Sequence, residues 1–127
     1  MEDRIRETAE QVIRINRENL GITLGYDEES VAWVDGHIEL IKEDSLDQET
    51  LETLICLFGA YLGECICHQF GGHWKMAYDQ WVISFPIGVK SFLAFPFVKV
   101  EKQFLGNQDS ILGYFIMISA ILDLWRY

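Results

Sequence analysis

Hydrophobic and polar positions in the first half of the chain recur at helical spacing. From Arg4 to Leu20, Ile5, Ala9, Val12 and Ile13 share one side while Glu and Arg alternate on the others, as in an amphipathic helix with paired charges on its wet face. Gly21 or Gly25 would end it. A second helix is expected from Asp27, whose carboxylate can cap, with Glu28 and Glu29 in the first turn and Val31, Val34, Ile38 and Ile41 as its apolar stripe. Gly36 in its interior works against it. Ser45 and Gln48 have the spacing of a capping box, and from Asp47 the pattern is apolar as far as Phe70, with Gly71 and Gly72 as the stop. On this third, central helix Leu51, Leu54, Ile55, Phe58, Leu62, Cys65 and Ile66 share one face. Cys56, Gly59, Ala60, Gly63 and Cys67 form a small-residue face that lets another element approach, so the helix should be covered on both sides.

After the glycine pair the period changes to two. "HWKMAY", "WVISF" and "GVKSFLAF" read as three short strands, with turns at Asp79 and Gln80 and at Pro86 and Ile87, an antiparallel meander. Its aromatic face, Trp74, Met76 and Tyr78 with Trp81, Ile83 and Phe85, is expected to lie on the third helix. Pro96 suits the first turn of a short helix ending at Gly106. Asp109 can cap a last helix whose stripe is Ile111, Tyr114, Phe115, Ile118, Leu122 and Trp125. The fold class is therefore α+β: N-terminal helices and a central buried helix packed on a three-stranded meander, followed by C-terminal helices, in a single domain over 1–127. Leu112, Ile116 and Leu124 make a second apolar face on the last helix. A homodimer would bury that surplus, unless the first helix wraps across it and leaves a monomer.

Composition narrows the class. Half of the 127 residues are hydrophobic and 13% aromatic, enough for one dense core. The start, "MEDRIRETAEQ", is charged and has no apolar stretch of the kind an export signal carries. The apolar runs 54–63 and 111–122 are shorter than the roughly 20 residues of a membrane-spanning helix. Three cysteines without an export signal suit reduced thiols, and a cytoplasmic location is expected. Residues 1–64 hold sixteen acids and five bases (net −11), whereas residues 65–127 hold four acids and five bases (net +1). That field disfavours nucleic acid and anionic membranes and suits a basic protein partner.

The densest chemistry lies in "GECICHQFGGHW", residues 63–74. Side chains two apart on a helix point about 200° apart, so Cys65 and Cys67 cannot share an ion; Cys65, His68 and His73 would make three ligands with no evident fourth. No metal and no cofactor are expected. A buried thiol is a poor nucleophile, and there is no phosphate-cradling glycine loop, GxSxG or HExxH. Glu64 stands out, because a carboxylate on a nearly all-apolar helix must find a donor. It can serve as a structural acid bonded to backbone or His68, or as the acid of a pocket walled by Glu64, His68, Trp74 and Trp81. His37, alone on the acidic second helix, reads as a surface residue.

Gly63, Glu64, Gly71, Gly72, Trp74, Pro96 and Lys102 together resemble the "GE", "GGxW", "P" and "K" positions of a family of small bacterial domains of unknown function, over about half the chain. The resemblance implies an α+β fold and supplies no activity. The functional expectation is a small, non-enzymatic protein that acts by protein contact on a basic partner, in the manner of immunity or antitoxin proteins. The alternative is a small-molecule binder or an enzyme using the Glu64 pocket.

Overall fold

The computed structural model describes residues 1–106 and 108–125. Three helices come first: α1 (Glu2–Leu20), α2 (Glu28–Ile41) and α3 (Gln48–Phe70). Gly21 closes α1 at φ 67°, with its N–H on the Arg17 carbonyl and the Ile22 N–H reaching back to Asn16. Asp27 caps α2 by accepting from the Ser30 N–H, as expected. The cap of α3 is Asp47, which accepts from the Thr50 N–H at 2.7 Å, and not Ser45. The Asp47–Thr50 pair has the same three-residue spacing as Ser45–Gln48, and the carboxylate nearer the apolar run takes the role. Gly71, at φ 78°, ends α3.

The meander is present as β1 (His73–Ala77), β2 (Gln80–Ile87) and β3 (Lys90–Ala94), paired antiparallel in the order β1-β2-β3. Both turns lie one or two residues from their expected places. Ala77 pairs with Gln80, so the first turn is Tyr78 and Asp79, at φ 53° and 61°, the two-residue loop whose twist suits a hairpin. Ile87 pairs with Lys90, so the second turn is Gly88 and Val89. Gly88 at φ 61° supplies the left-handed conformation that Pro86 and Ile87 cannot. Pro86 stays in β2 because it lies beyond Ser84, the last residue paired with β1, and so removes no ladder bond to that strand.

Two more helices follow, α4 (Pro96–Leu105) and α5 (Ile111–Trp125), with Pro96 in the first turn of α4 as expected. The molecule is α+β, with N-terminal and C-terminal helices around a three-stranded antiparallel sheet. The central α3 packs on α1 and on α4. Its small-residue face serves the close approaches: a Cβ on Gly59 would meet the Phe97 ring at 2.3 Å and one on Gly63 the Trp74 ring at 2.1 Å. The sheet meets the central helix through β1, where Trp74 lies on Gly63. α4 also packs against β2, and of the aromatic face Trp74, Ile83 and Phe85 are buried, whereas Met76 and Tyr78 are exposed. Val82, Ile83, Ser84 and Phe85 are all buried, so the middle of β2 is covered on both faces and its alternation is masked. With 23 residues, α3 is long and apolar enough, by length and composition, to cross a membrane; half of its apolar window is buried within the fold.

A polar knot fixes α5. Gln103 of α4, fully buried, accepts from the Ile111 N–H at 2.8 Å and donates to Asp35 and Glu39 of α2. Asp35 Oδ2 accepts from the Leu112 N–H at 2.9 Å, and Ser110 Oγ from the Gly113 N–H at 3.1 Å. Asp109, the expected cap, instead pairs with Lys99 at 2.6 Å. Ser110, one residue after the expected Asp109, supplies the local cap, and the orphan donors of Ile111 and Leu112 are satisfied by groups from other helices, which a local capping rule does not see. The same knot draws α5 against α2, so that α2 rather than α1 is its main cover.

Candidate functional site

Glu64 sits in the last turns of α3, 5% exposed in a stretch that is otherwise apolar. The Gly71–Gly72 turn swings β1 back along the helix. Gly71 takes the left-handed conformation, and Gly72 leaves room where a Cβ would meet Ile83 at 2.4 Å and Phe85 at 2.6 Å. Trp74 therefore lies on Gly63, and its indole N–H donates to Glu64 Oε2 at 2.8 Å. The other oxygen, Oε1, has Arg6 Nε of α1 at 3.8 Å and His68 Nε2 at 3.9 Å, too far for direct hydrogen bonds. Glu64 lines an open pocket of about 350 Å³ together with Glu2, Arg6, Cys67, His68, His73 and Trp74 among others. Tyr26 stacks on His68 at 4.2 Å, and burial with the Glu64 charge pushes its hydroxyl up to about 12.

Of the four expected pocket residues, Glu64, His68 and Trp74 come together and Trp81 does not. Trp81 shares the sheet face of Trp74 but pairs with Met76, one cross-strand step further along, and packs toward the core with its indole N–H buried and without a hydrogen-bond partner among the described residues. Alternation finds the face and not the position along it. Arg6 and Glu2 were missed because they come from α1, some sixty residues away in sequence. Gly63, Glu64, Trp74 and Pro96, four of the seven positions on which the resemblance was expected, form one contact set, since the same Gly63 Cβ that would strike Trp74 would meet Pro96 at 3.3 Å. Lys102 stands apart and exposed on α4.

The thiols are unsuited to attack. Cys65 is buried and Cys67 half-buried, and desolvation pushes both up to about 12, aided at Cys67 by the charges of Glu64 and Glu2. Neither is a thiolate at neutral pH. Among the described residues no three His, Cys, Asp or Glu side chains converge as metal ligands.

Two further features belong to the surface. His37 is not a lone surface residue: it stacks on Trp33 at 4.9 Å, meets the Phe58 ring edge-on, and lines an apolar groove of about 310 Å³ between α1, α2 and α3. Burial lowers its pKa, so it is neutral at physiological pH. The acidity is also more localised than the halves of the chain suggest. Residues 2–20 carry five acids and four bases, a near balance, whereas residues 21–52 carry ten acids and one base, Lys42. Lys42 is consumed internally, bonding the Gln103 and Gly106 carbonyls at 3.2 and 2.8 Å and pairing with Glu39 at 2.7 Å. Nine of the ten acids are exposed, and Asp35, in the knot, is the half-buried one. Hydrogen bonds hold Glu39 and Asp47 below the usual carboxylate range, from Lys42 and Thr50 respectively. Leu105, at the end of α4, stands exposed beside Glu39 and Glu43 in a shallow cleft, and Leu40 is exposed on α2.

No protein-family model, curated protein or solved structure matches this chain.

Proposed function

We propose that the chain acts without catalysis, by contact with a basic protein in the cytoplasm, through the carboxylate edge formed by α2, the α2–α3 connection and the start of α3. The observation that carries this reading is the ten-to-one excess of acids over bases in residues 21–52, with the one lysine tied to backbone carbonyls. Exposed carboxylates around the apolar side chains of Leu40 and Leu105 supply what an interface needs: charge to steer and fix register at the rim, and apolar area to desolvate at the centre. Neutralising a basic toxin, as immunity and antitoxin proteins do, is one role for such an edge. The test is affinity capture from the source cell with the wild-type chain and with Glu39→Lys/Glu43→Lys/Asp44→Lys. A basic protein retained by the wild type, weakened at about 0.15 M salt and lost with the triple variant, supports the reading. A partner indifferent to the reversal removes it.

A second reading rests on Glu64 Oε1, which has no direct hydrogen bond among the described residues and belongs to a buried side chain that lines the open pocket. Such an oxygen suits the ammonium or guanidinium group of a small molecule. Titration with guanidinium and alkylammonium ions, followed by the Trp74 indole resonance, checks it; an indole signal unmoved in the wild type rules it out.

A further inference from the structure

Independently of that reading, we infer that the outer face of α5 is a self-complementary surface that pairs two copies of this chain antiparallel. Gly113, Met117, Ala120 and Leu124 are spaced four, three and four apart, a heptad seam, with Ile116 beside it. All five are exposed: Ile116 is 46%, Met117 44% and Leu124 75% accessible. Asp123 is the only charged residue among the described positions of α5, so the seam itself is uncharged. Gly113 has no internal reason to be glycine. A Cβ there would make only ordinary contacts with Ser110 at 3.7 Å, and no positive φ demands it.

The order of sizes selects the occupant. An antiparallel pair stacks its seam in layers, each holding one residue from either helix. A two-fold axis level with the midpoint of residues 118 and 119 sets Met117 opposite the partner's Ala120 and Gly113 opposite the partner's Leu124. Each of the four layers then holds one large and one small residue. A parallel pair would set like against like and leave voids at glycine and alanine. A foreign partner needs no such internal symmetry; a second copy does, because a two-fold contact uses one patch twice. Four layers along about 17 Å of helix bury less than the roughly 800 Å² per partner of a standard interface, so association is expected in the micromolar range.

Sedimentation across the micromolar range should show reversible formation of a species of twice the 14.7 kDa chain mass. Ala120→Met, which puts two methionines in a layer, should weaken the dimer by about tenfold or more. Met117→Ala/Ala120→Met exchanges the owners of the large and small side chains and should return the affinity to within about threefold of wild type. Circular dichroism confirms that each variant is folded, as expected for exposed positions. A 14.7 kDa species at every concentration overturns the inference. So does a dimer that ignores Ala120→Met, or one that the double variant fails to restore.

Discussion

Single residues around Glu64 carry the sharpest expectations. The carboxylate satisfies a buried indole N–H through Oε2, so Glu64→Ala should cost about 1–3 kcal/mol by leaving that donor unpaired, whereas Glu64→Gln keeps an acceptor and should cost about 1 kcal/mol. Urea denaturation of both variants decides: stabilisation by Glu64→Gln would mean that the charge is strained in the fold and held for binding. Gly63→Ala should be worse than either, about 3 kcal/mol or more, because its methyl would lie 2.1 Å from a rigid indole that cannot step aside. The thiols give a pH prediction. Cys65 and Cys67 are raised from 9.0 to about 12 by burial, so the neutral thiols contribute stability in full below pH 9.0, and that contribution is lost as pH rises toward about 12. Thermal melts should therefore fall steeply above pH 9, and less steeply in Cys65→Ala/Cys67→Ala. At pH 8, alkylation should modify the exposed Cys56 well before the other two.

At the scale of elements, what the sequence revealed and what it hid divide along the range of the forces involved. Helix spans followed from local signals, Gly21, Asp27, Gly71 and Pro96, each acting within a turn of its own position. The turn at Gly88 is also written locally, in the glycine that takes a positive φ, but the nearby Pro86 is itself a turn signal and masks it. The start of α5 was legible only in part: a cap was expected at Asp109 and stands at Ser110, but the donors of Ile111 and Leu112 are met by Gln103 and Asp35 from distant helices. The site divides in the same way. Glu64 and His68 are one turn apart and Trp74 follows the glycine turn, so spacing joins them; Arg6, Glu2 and the absence of Trp81 depend on how α1 and the sheet are placed. Gly36 shows propensity overruled, since α2 runs through it. Nothing lies within 4 Å of where its Cβ would stand, so no contact accounts for the glycine. Gly36→Ala should raise stability by about 0.5–1 kcal/mol, read as a higher melting temperature; no gain would mean that the position is restrained in a way contacts do not show.

For the molecule as a whole, the formal charge of −10 is held mainly in one stretch, and repulsion there opposes attraction elsewhere. The attractive contacts among the described residues are few: Lys99 with Asp109, Lys42 with Glu39, Arg6 with Asp3, and the longer approach of Arg6 to Glu64. Ten acids against one base in residues 21–52 outweigh them, so screening should relieve more repulsion than it removes attraction. The melting temperature should accordingly rise as salt is raised from about 0.01 to about 0.15 M. Glu43→Lys/Asp44→Lys should raise the low-salt melting temperature and flatten its salt dependence, since both side chains are exposed and take no part in the knot that fixes α5. The same pair lies at the centre of the proposed binding edge, so the variant that gains stability should lose its basic partner. An edge kept for binding and one that merely keeps the chain in solution part company here: a charge-reversed chain that is both more stable and undiminished in binding would show that the carboxylates serve neither recognition nor steering.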